Sequence, residues 1–367
     1  MSGKIIAAGH ICLDITPVFP SDRLCHRLDA LLIPGKLIHM ESADVHTGGR
    51  VANTGLALKL LGNDVTLLGK VGDDPFGKLV QQILARYGAD GLIVDPESST
   101  SYSVVLAVPG MDRIFLHNPG SNDTFTGADI PPEPLKDAVL FHFGYPPLMK
   151  QTYAQGGKEL AAIFRRMKGM GIATSLDMAA IDPHSEEGRV NWEAVLANTL
   201  PFVDFFVPSF EELCFMLDRE NFDRLNALGG EMIRHLDMER DVKPLAAKAL
   251  HLGCQAVLIK CGTAGMYYRT GSMEGVGSRL GLQPALWANQ SGVQPCFRAD
   301  ALRSATGAGD ASIAAYLTAI LRGKSSAECA ALAAAEGACA VTSYDALEGL
   351  RPIEELEARI AAGWAVQ

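Results

Sequence analysis

The chain has no surplus of positive charge. Lys and Arg total 32 against 42 Asp and Glu, a formal net charge of −10. A net acidic surface does not suit wrapping a nucleic acid or lying on an anionic membrane, since both need a basic face. A local basic pocket for a small anion remains compatible with that balance. The chain also lacks any apolar run near the roughly 20 residues that a membrane span requires. Its opening segment, MSGKIIAAGHICLDI, has one Lys and a mostly apolar stretch stopped by Asp14, and no small-residue cleavage site follows. It reads as a buried first strand and not as a secretory signal. Paired cysteines are missing too. Cys12, Cys25, Cys214, Cys254, Cys261, Cys296, Cys329 and Cys339 are scattered, and none forms CxxC. Metal and disulfide frameworks show tight spacing, so these read as reduced core thiols of a cytoplasmic protein. There is no internal repeat, no low-complexity tract and no Walker A loop.

What is present is ordinary globular material. Of 367 residues, 48% are hydrophobic and 20% charged, which excludes disorder, collagen and coiled coil. The length suits two domains, or one large α/β domain with an appendage. Apolar runs recur at 4–9, 65–68, 104–108, 139–143, 173–176, 202–207 and 256–259. Between many of them lie helix-period stretches at 51–61, 78–87, 157–170, 211–217, 244–252 and 310–321. Fully apolar strands alternating with amphipathic helices predict a parallel sheet covered on both faces. Ligands on such sheets sit at the carboxyl ends of the strands.

Two stretches break the alternation. Residues 16–47 lack a long helical period and contain Pro17, Pro20, Pro34 and Gly35. Residues 98–124 hold two strand-like runs, 102–108 and 113–117, joined by Pro109-Gly110-Met111-Asp112, a good hairpin turn. Together they predict a small β-sheet lid beside a main domain formed by 1–15, 48–97 and 125–367. A third stretch, 270–300, has no clear period. Residues 326–340 are Ala-rich and read as a tightly packed helix.

The sharpest local feature is Ser304-Ala305-Thr306-Gly307-Ala308-Gly309-Asp310, followed by a helical run. Glycines at 307 and 309 let the backbone approach an anion closely, and free N–H groups at a helix start point at it. A carboxylate in that place repels phosphate. It makes sense as the group that takes the proton of a hydroxyl attacking phosphorus, beside N–H groups that hold the transferring phosphoryl group. Taken alone, Asp310 reads first as a helix N-cap with glycines serving a turn. A second cluster, His46-Thr47-Gly48-Gly49-Arg50-Val51-Ala52-Asn53, opens the next helical stretch. Gly48 and Gly49 expose backbone N–H groups there, and Asn53 can donate and accept towards hydroxyls. Asp14 follows the first strand, where a carboxylate can take two sugar hydroxyls, or serve merely as a loop residue or cap.

In this order the clusters resemble the ribokinase-like family, the PfkB carbohydrate kinases. The first signature, GGxxxNxAxxLxxLG followed by GxxGxDxxG, is similar to Gly48, Gly49, Asn53, Leu61 and Gly62, then Gly69, Gly72, Asp74 and Gly77. The second, DTxGAGD, is similar to Thr306, Gly307, Ala308, Gly309 and Asp310. The resemblance covers essentially the whole chain. It implies an α/β fold, a Rossmann-type three-layer sandwich with a small β-sheet lid, and ATP-dependent phosphorylation of a hydroxymethyl group. It implies Asp310 as catalytic base, the amides of Gly307, Ala308 and Gly309 as anion hole, and Asp14, Gly48, Gly49 and Asn53 as substrate contacts. Thr306, Lys260, Gly262, Gly265 and Asp177 fall where the family meets its nucleotide. In several members lids of two subunits clasp, which makes a homodimer an expectation.

Three departures stand out. The family's Asn-x-x-Glu, which organises Mg2+ and phosphates through water, is here Ser209-Phe210-Glu211-Glu212, so only Glu212 matches as the metal-side residue. Members activated by a monovalent cation carry an Asp six residues before the base. Here that residue is Ser304, so the resemblance does not extend to K+ dependence. An Asn of the adenine-side helix aligns near Ala334, which leaves apolar adenine contacts.

The expected reaction is transfer of a phosphoryl group from ATP to a small neutral sugar. A nucleoside kinase of the same framework and a non-catalytic sugar or nucleotide sensor are the alternatives. An acidic substrate would need cations near the lid, with Arg50, Arg113, His46 and His117 as candidates. A nucleoside would want a platform, from Phe115, Tyr102 or Phe19.

Overall fold

Side chains alternate across the buried strands, and that alternation builds the centre of the molecule. In β1 (Lys4–Gly9), Ile5 and Ala7 join one hydrophobic cluster while Ile6 and Ala8 join another on the opposite face. A strand that is apolar at every position is stable where helices cover both faces. The computed structural model describes residues 3–20, 27–89, 91–111, 113–343, 345 and 347–367. Cys25 and Asp112, read above as a core thiol and as part of a hairpin joint, lie outside the described residues.

The remaining strands are β2 (Cys12–Pro17), β3 (Ala43–Gly48), β4 (Val65–Leu68), β5 (Lys70–Gly72), β6 (Ile93–Asp95), β7 (Tyr102–Leu106), β8 (Ile114–Asn118), β9 (Ala138–Gly144), β10 (Ala173–Asp177), β11 (Phe205–Phe206), β12 (Ala256–Lys260), β13 (Met266–Thr270) and β14 (Ser291–Gln294). Seven of them join β1 in one eight-stranded sheet in the order β14-β13-β12-β11-β10-β9-β1-β4. Helices Arg50–Leu60, Ala308–Leu321 and Ser326–Ala340 cover one face. Helices Lys150–Gly169, Trp192–Thr199, Phe210–Leu217 and Lys243–His251 cover the other. The result is a three-layer α/β sandwich with a separate small sheet, as the sequence leads one to expect.

The sheet is parallel from β4 to β12, but β13 and β14 run antiparallel at its edge. The expectation of a wholly parallel sheet is corrected there. Only the short turn around Gly262–Ala264 joins β12 to β13, and so short a link can only return the chain antiparallel. The stretch 270–300, which shows no period in sequence, contains β14 and two short helices, Val276–Leu280 and Pro284–Trp287. In the long element Lys150–Gly169, residues Ala154, Gln155, Gly156 and Gly157 leave helical geometry, so the regular turns begin where the 157–170 period starts.

The second sheet has the order β3-β2-β7-β8. Its register sorts its chemistry by face. His46, Asp14, Ser103 and His117 stand opposite one another in one row. Val45, Ile15, Val104 and Leu116 form the adjacent row, which projects from the other face. The segment read as a loop-borne Asp14 is thus a strand, and β3 runs directly into helix Arg50–Leu60. All seven described cysteines are free. Among the described residues, no helix is long and apolar enough to cross a membrane.

Candidate active site

The carboxyl ends of β1, β9, β10 and β12 meet the N-termini of two helices, and the polar residues of the core collect there. Helix Ala308–Leu321 starts at Gly307, whose φ of 78° is left-handed and suits glycine. No side chain caps this helix, so Asp310 in its first turn is not the N-cap. The Ala308 amide donates to the Ala305 carbonyl at 3.3 Å, which occupies one of the three amides read as an anion hole.

Asp310 is 5% exposed. Its Oδ1 accepts from the Thr54 hydroxyl at 2.9 Å and from Nη1 of Arg50. Among the described residues, its Oδ2 accepts only a long 3.3 Å bond from the Asn53 side-chain amide. Arg50 forms an ion pair through its other terminal nitrogen with Asp177 Oδ2, and Lys260 Nζ meets Asp177 Oδ1 at 2.8 Å. The four charges therefore run as an alternating chain, Lys260–Asp177–Arg50–Asp310. Burial pushes the Asp310 carboxyl above the ordinary carboxylate range, and Arg50 partly opposes that push. Burial pulls the Arg50 guanidinium down, but Asp177 and Asp310 more than reverse the effect and raise it above its ordinary value. His142, buried beside this chain and beside Arg50, is pushed down to about 3 and stays neutral.

Beside these charges lies a cavity of about 360 Å3. Asp14, His46, Thr47, Asn53, Thr306, Gly307 and Asp310 line it, with Leu56, Ile83, Tyr87 and Leu347 on its apolar side. Among the described residues, five carboxylates border it, from Asp14, Asp44, Asp310, Asp345 and Glu348, against His46 as the one basic side chain. Of the substrate residues expected from sequence, Asp14 and Asn53 line the cavity. Gly48 packs directly over the Asp14 carboxylate, and Gly49 packs against the backbone of His10. Lys260 lies close to Gly309, within 4.0 Å of where a Cβ would stand. Gly262 and Gly265 shape the turn after β12 and do not border the cavity.

Glu212 is buried and sits in a capping box. Its Oε2 accepts the Ser209 amide at 2.7 Å, while the Ser209 hydroxyl accepts from the Glu212 amide at 3.3 Å. Burial and then Asp177 push its carboxyl up. Ser-x-x-Glu before an apolar run is itself a capping signature, a signal in the sequence that the metal reading passed over. Among the described residues, no group of three His, Cys, Asp or Glu side chains is placed to hold a metal ion.

Sequence reasoning treated Arg50 and Arg113 as cations for an acidic substrate. Arg50 is instead consumed by Asp177 and Asp310. Arg113, just before β8 of the small sheet, donates to the Thr306 hydroxyl and, at 3.1 Å, to the Ser304 hydroxyl. Thr54 and Tyr145 were missed. The signal for Thr54 was its place one turn after Arg50 on a helix buried nearly all round, where any polar group needs a partner.

Known proteins resemble the chain along most of its length. It is 27% identical over 188 residues to "Fructokinase-2" of Oryza sativa subsp. japonica, covering 49% of this chain and 54% of that one, so the match spans about half of that relative. The solved structure of Arabidopsis thaliana ribokinase complexed with ribose and ATP superposes with a TM-score of 0.70 at 19% identity, covering 98% of both chains. Fructokinase with bound ATP from Xylella fastidiosa gives a TM-score of 0.70 at 19% identity, with 99% of both chains covered. The family model described as "pfkB family carbohydrate kinase" matches residues 4–352, and the chain belongs to that family.

Proposed function

We propose that the protein is an ATP-dependent kinase that phosphorylates a hydroxymethyl group of a small neutral sugar, with Asp310 as the base. One observation carries this reading. The buried Asp310 lines a sugar-sized cavity and has one oxygen saturated by Arg50 and Thr54, while the other accepts a single long bond from Asn53 among the described residues. The relatives named fructokinase and ribokinase, the latter solved with ribose and ATP, support the same chemistry.

In the reaction the substrate hydroxyl sits between Asp310 Oδ2 and the γ-phosphorus of ATP. Its oxygen forms the new P–O bond while the bond to the ADP oxygen breaks. Asp310 takes the hydroxyl proton late, because a loose transition state needs little activation of the nucleophile. The open amides of the Gly307 loop stabilise charge on the transferring group, with Lys260 beside Gly309. Asp14 and Asn53 hold neighbouring hydroxyls. Mg2+ supplies charge neutralisation on the phosphates when bound. The sparse donor set fits an ion that brings phosphate and water oxygens with it, and Glu212 would be the nearby carboxylate.

The carboxylate-rich lining favours a neutral substrate. A sugar acid or sugar phosphate would face Asp14, Asp44, Asp345 and Glu348, with His46 as the one basic side chain among the described lining residues. Phe115, Tyr102 and Phe19, expected as a platform for a nucleoside, do not border the cavity, and Tyr87 is the aromatic side chain in its described lining. Val45 and Leu116 of the small sheet are exposed, which suits a lid-to-lid homodimer, and sedimentation of the purified protein tests it.

The direct test is Asp310→Asn assayed for ADP release over a panel of pentoses, hexoses and nucleosides. The expected loss in kcat is roughly 10³-fold or more, with ATP still raising the melting temperature. An unchanged kcat would remove Asp310 as base. A sugar that stabilises the wild-type protein without ADP release would favour the sensor.

A further inference from the structure

Arg50 is built into the site more firmly than a structural ion pair requires. Its guanidinium lies over the Tyr145 ring, 4.2 Å from the ring centroid. Tyr145 adopts φ 65°, a left-handed conformation that non-glycine residues avoid. At Gly144 any Cβ would collide with the aliphatic stem of Arg50. The end of β9 is thus shaped around one side chain, at the cost of a strained tyrosine. That side chain then forks to two carboxylates on different elements: Asp177 at the end of β10 and Asp310 in helix Ala308–Leu321.

The two oxygens of Asp310 differ as a consequence. Oδ1 is filled by Arg50 and Thr54, whereas Oδ2 has only the long bond from Asn53. We propose that Arg50 is a positioning residue for the transfer: with Thr54 it pins Oδ1 of Asp310 and leaves Oδ2 as the oxygen that receives the substrate's proton. This rests on Asp310 being the base. The titratable and charged groups around Asp310 are Arg50, Asp177, Lys260, Tyr145 and Glu212, with Asp14 across the cavity. Among these, Arg50 stands foremost in opposing the effect of burial on the carboxyl. Without it, the site would hold Asp310 and Asp177 facing each other with Lys260 alone to offset them.

The test compares Arg50→Met, Arg50→Lys and Asp310→Asn. The Asp310 carboxyl is titrated in substrate-free protein by ¹³C NMR with carboxyl-labelled aspartate, Asp310→Asn supplying the assignment. Kinetics are measured with D-fructose and D-ribose as probes. In Arg50→Met the Asp310 midpoint is expected to rise by about one unit or more. Its kcat should fall about 100-fold, the scale of a displaced reacting group, while KM stays within a few fold. Arg50→Lys should return the midpoint most of the way, since charge is restored. It should recover only part of kcat, because an ammonium cannot fork to both carboxylates. If Arg50→Met leaves the midpoint where it is in wild type, or Arg50→Lys behaves like Arg50→Met, the proposal is wrong. An active Asp310→Asn would instead sink the underlying assignment of the base, and the two failures are distinct. Should Arg50→Met not fold, the isosteric Thr54→Val decides. It must raise the same midpoint, and an unmoved midpoint rejects the pinning of Oδ1.

Discussion

A buried guanidinium is costly unless carboxylates meet it with good geometry, and Arg50 is 3% exposed with one carboxylate on each side. Its position is enforced from below by a missing atom. The methyl of Gly144→Ala would overlap the stem of Arg50, and the backbone of β9 is fixed by its pairing with β1 and β10. The side chain must therefore give way, and it carries Asp310 with it. Overpacking of this kind costs about 1–3 kcal/mol, so the melting temperature should fall by a few degrees. Activity should suffer more, with kcat down about 10- to 100-fold. Circular dichroism melts and steady-state kinetics on the one variant separate the two effects. A lowered melting temperature with unaltered kcat would mean that Arg50 finds an equivalent position.

Among the elements, helix Ser326–Ala340 carries an anomaly of its own. It is buried along most of its length, and Glu336 within it is 0% exposed. Its Oε1 accepts the Arg351 amide at 2.9 Å, while Oε2 has no partner among the described residues. Burial lifts this carboxyl from 4.5 to about 8, against a smaller opposing pull from the Arg351 amide. The native state thus retains a proton that the unfolded chain releases near the ordinary carboxylate value. The associated stability is fully present below that value and drains away as pH rises towards the folded pKa. Glu336→Gln removes the proton dependence and keeps the acceptor. The melting temperature of wild type relative to Glu336→Gln should therefore decline from about pH 5 to about pH 8. A difference that stays constant across that range would show the glutamate to be hydrated or paired.

The elements also show what the sequence could and could not tell. Strands buried on both faces, such as β9 and β10, announced themselves as apolar runs, and Ser326–Ala340 was readable from its small residues. Strand β14 was not, because Ser-Gly-Val-Gln at a half-exposed edge has neither an apolar run nor a clear alternation. The acidic residue after the glycine loop and the Asn of the second cluster were legible as motif members. Arg50 was visible as a charge but not as a buried one. Its partners, Asp177 and Asp310, lie far along the chain, and only the sheet topology brings the three together.

At the scale of the whole molecule, the small sheet and the core meet across the cavity at Arg113. This residue precedes β8, and its guanidinium donates to the hydroxyls of Thr306 and Ser304 beside the glycine loop. The contact joins the wall bearing Asp14 and His46 to the wall bearing Gly307 and Asp310, so it holds the cavity's two sides at one separation. Closing such a site excludes water that would compete with the sugar for the phosphoryl group. Hydrogen bonds to a charged group contribute about 1.5–3 kcal/mol when shielded. The partial exposure of this pair places it at or below the lower end. Arg113→Ala should accordingly raise the KM for sugar about tenfold, with the larger share of the effect in KM. It should also raise the fraction of ATP hydrolysed without sugar phosphate being formed. Folding stability should scarcely change, because the substitution removes no core packing. The check is a paired measurement of ADP and sugar phosphate at low and saturating sugar. Equal yields and an unaltered KM would show that the two walls hold their separation without this arginine.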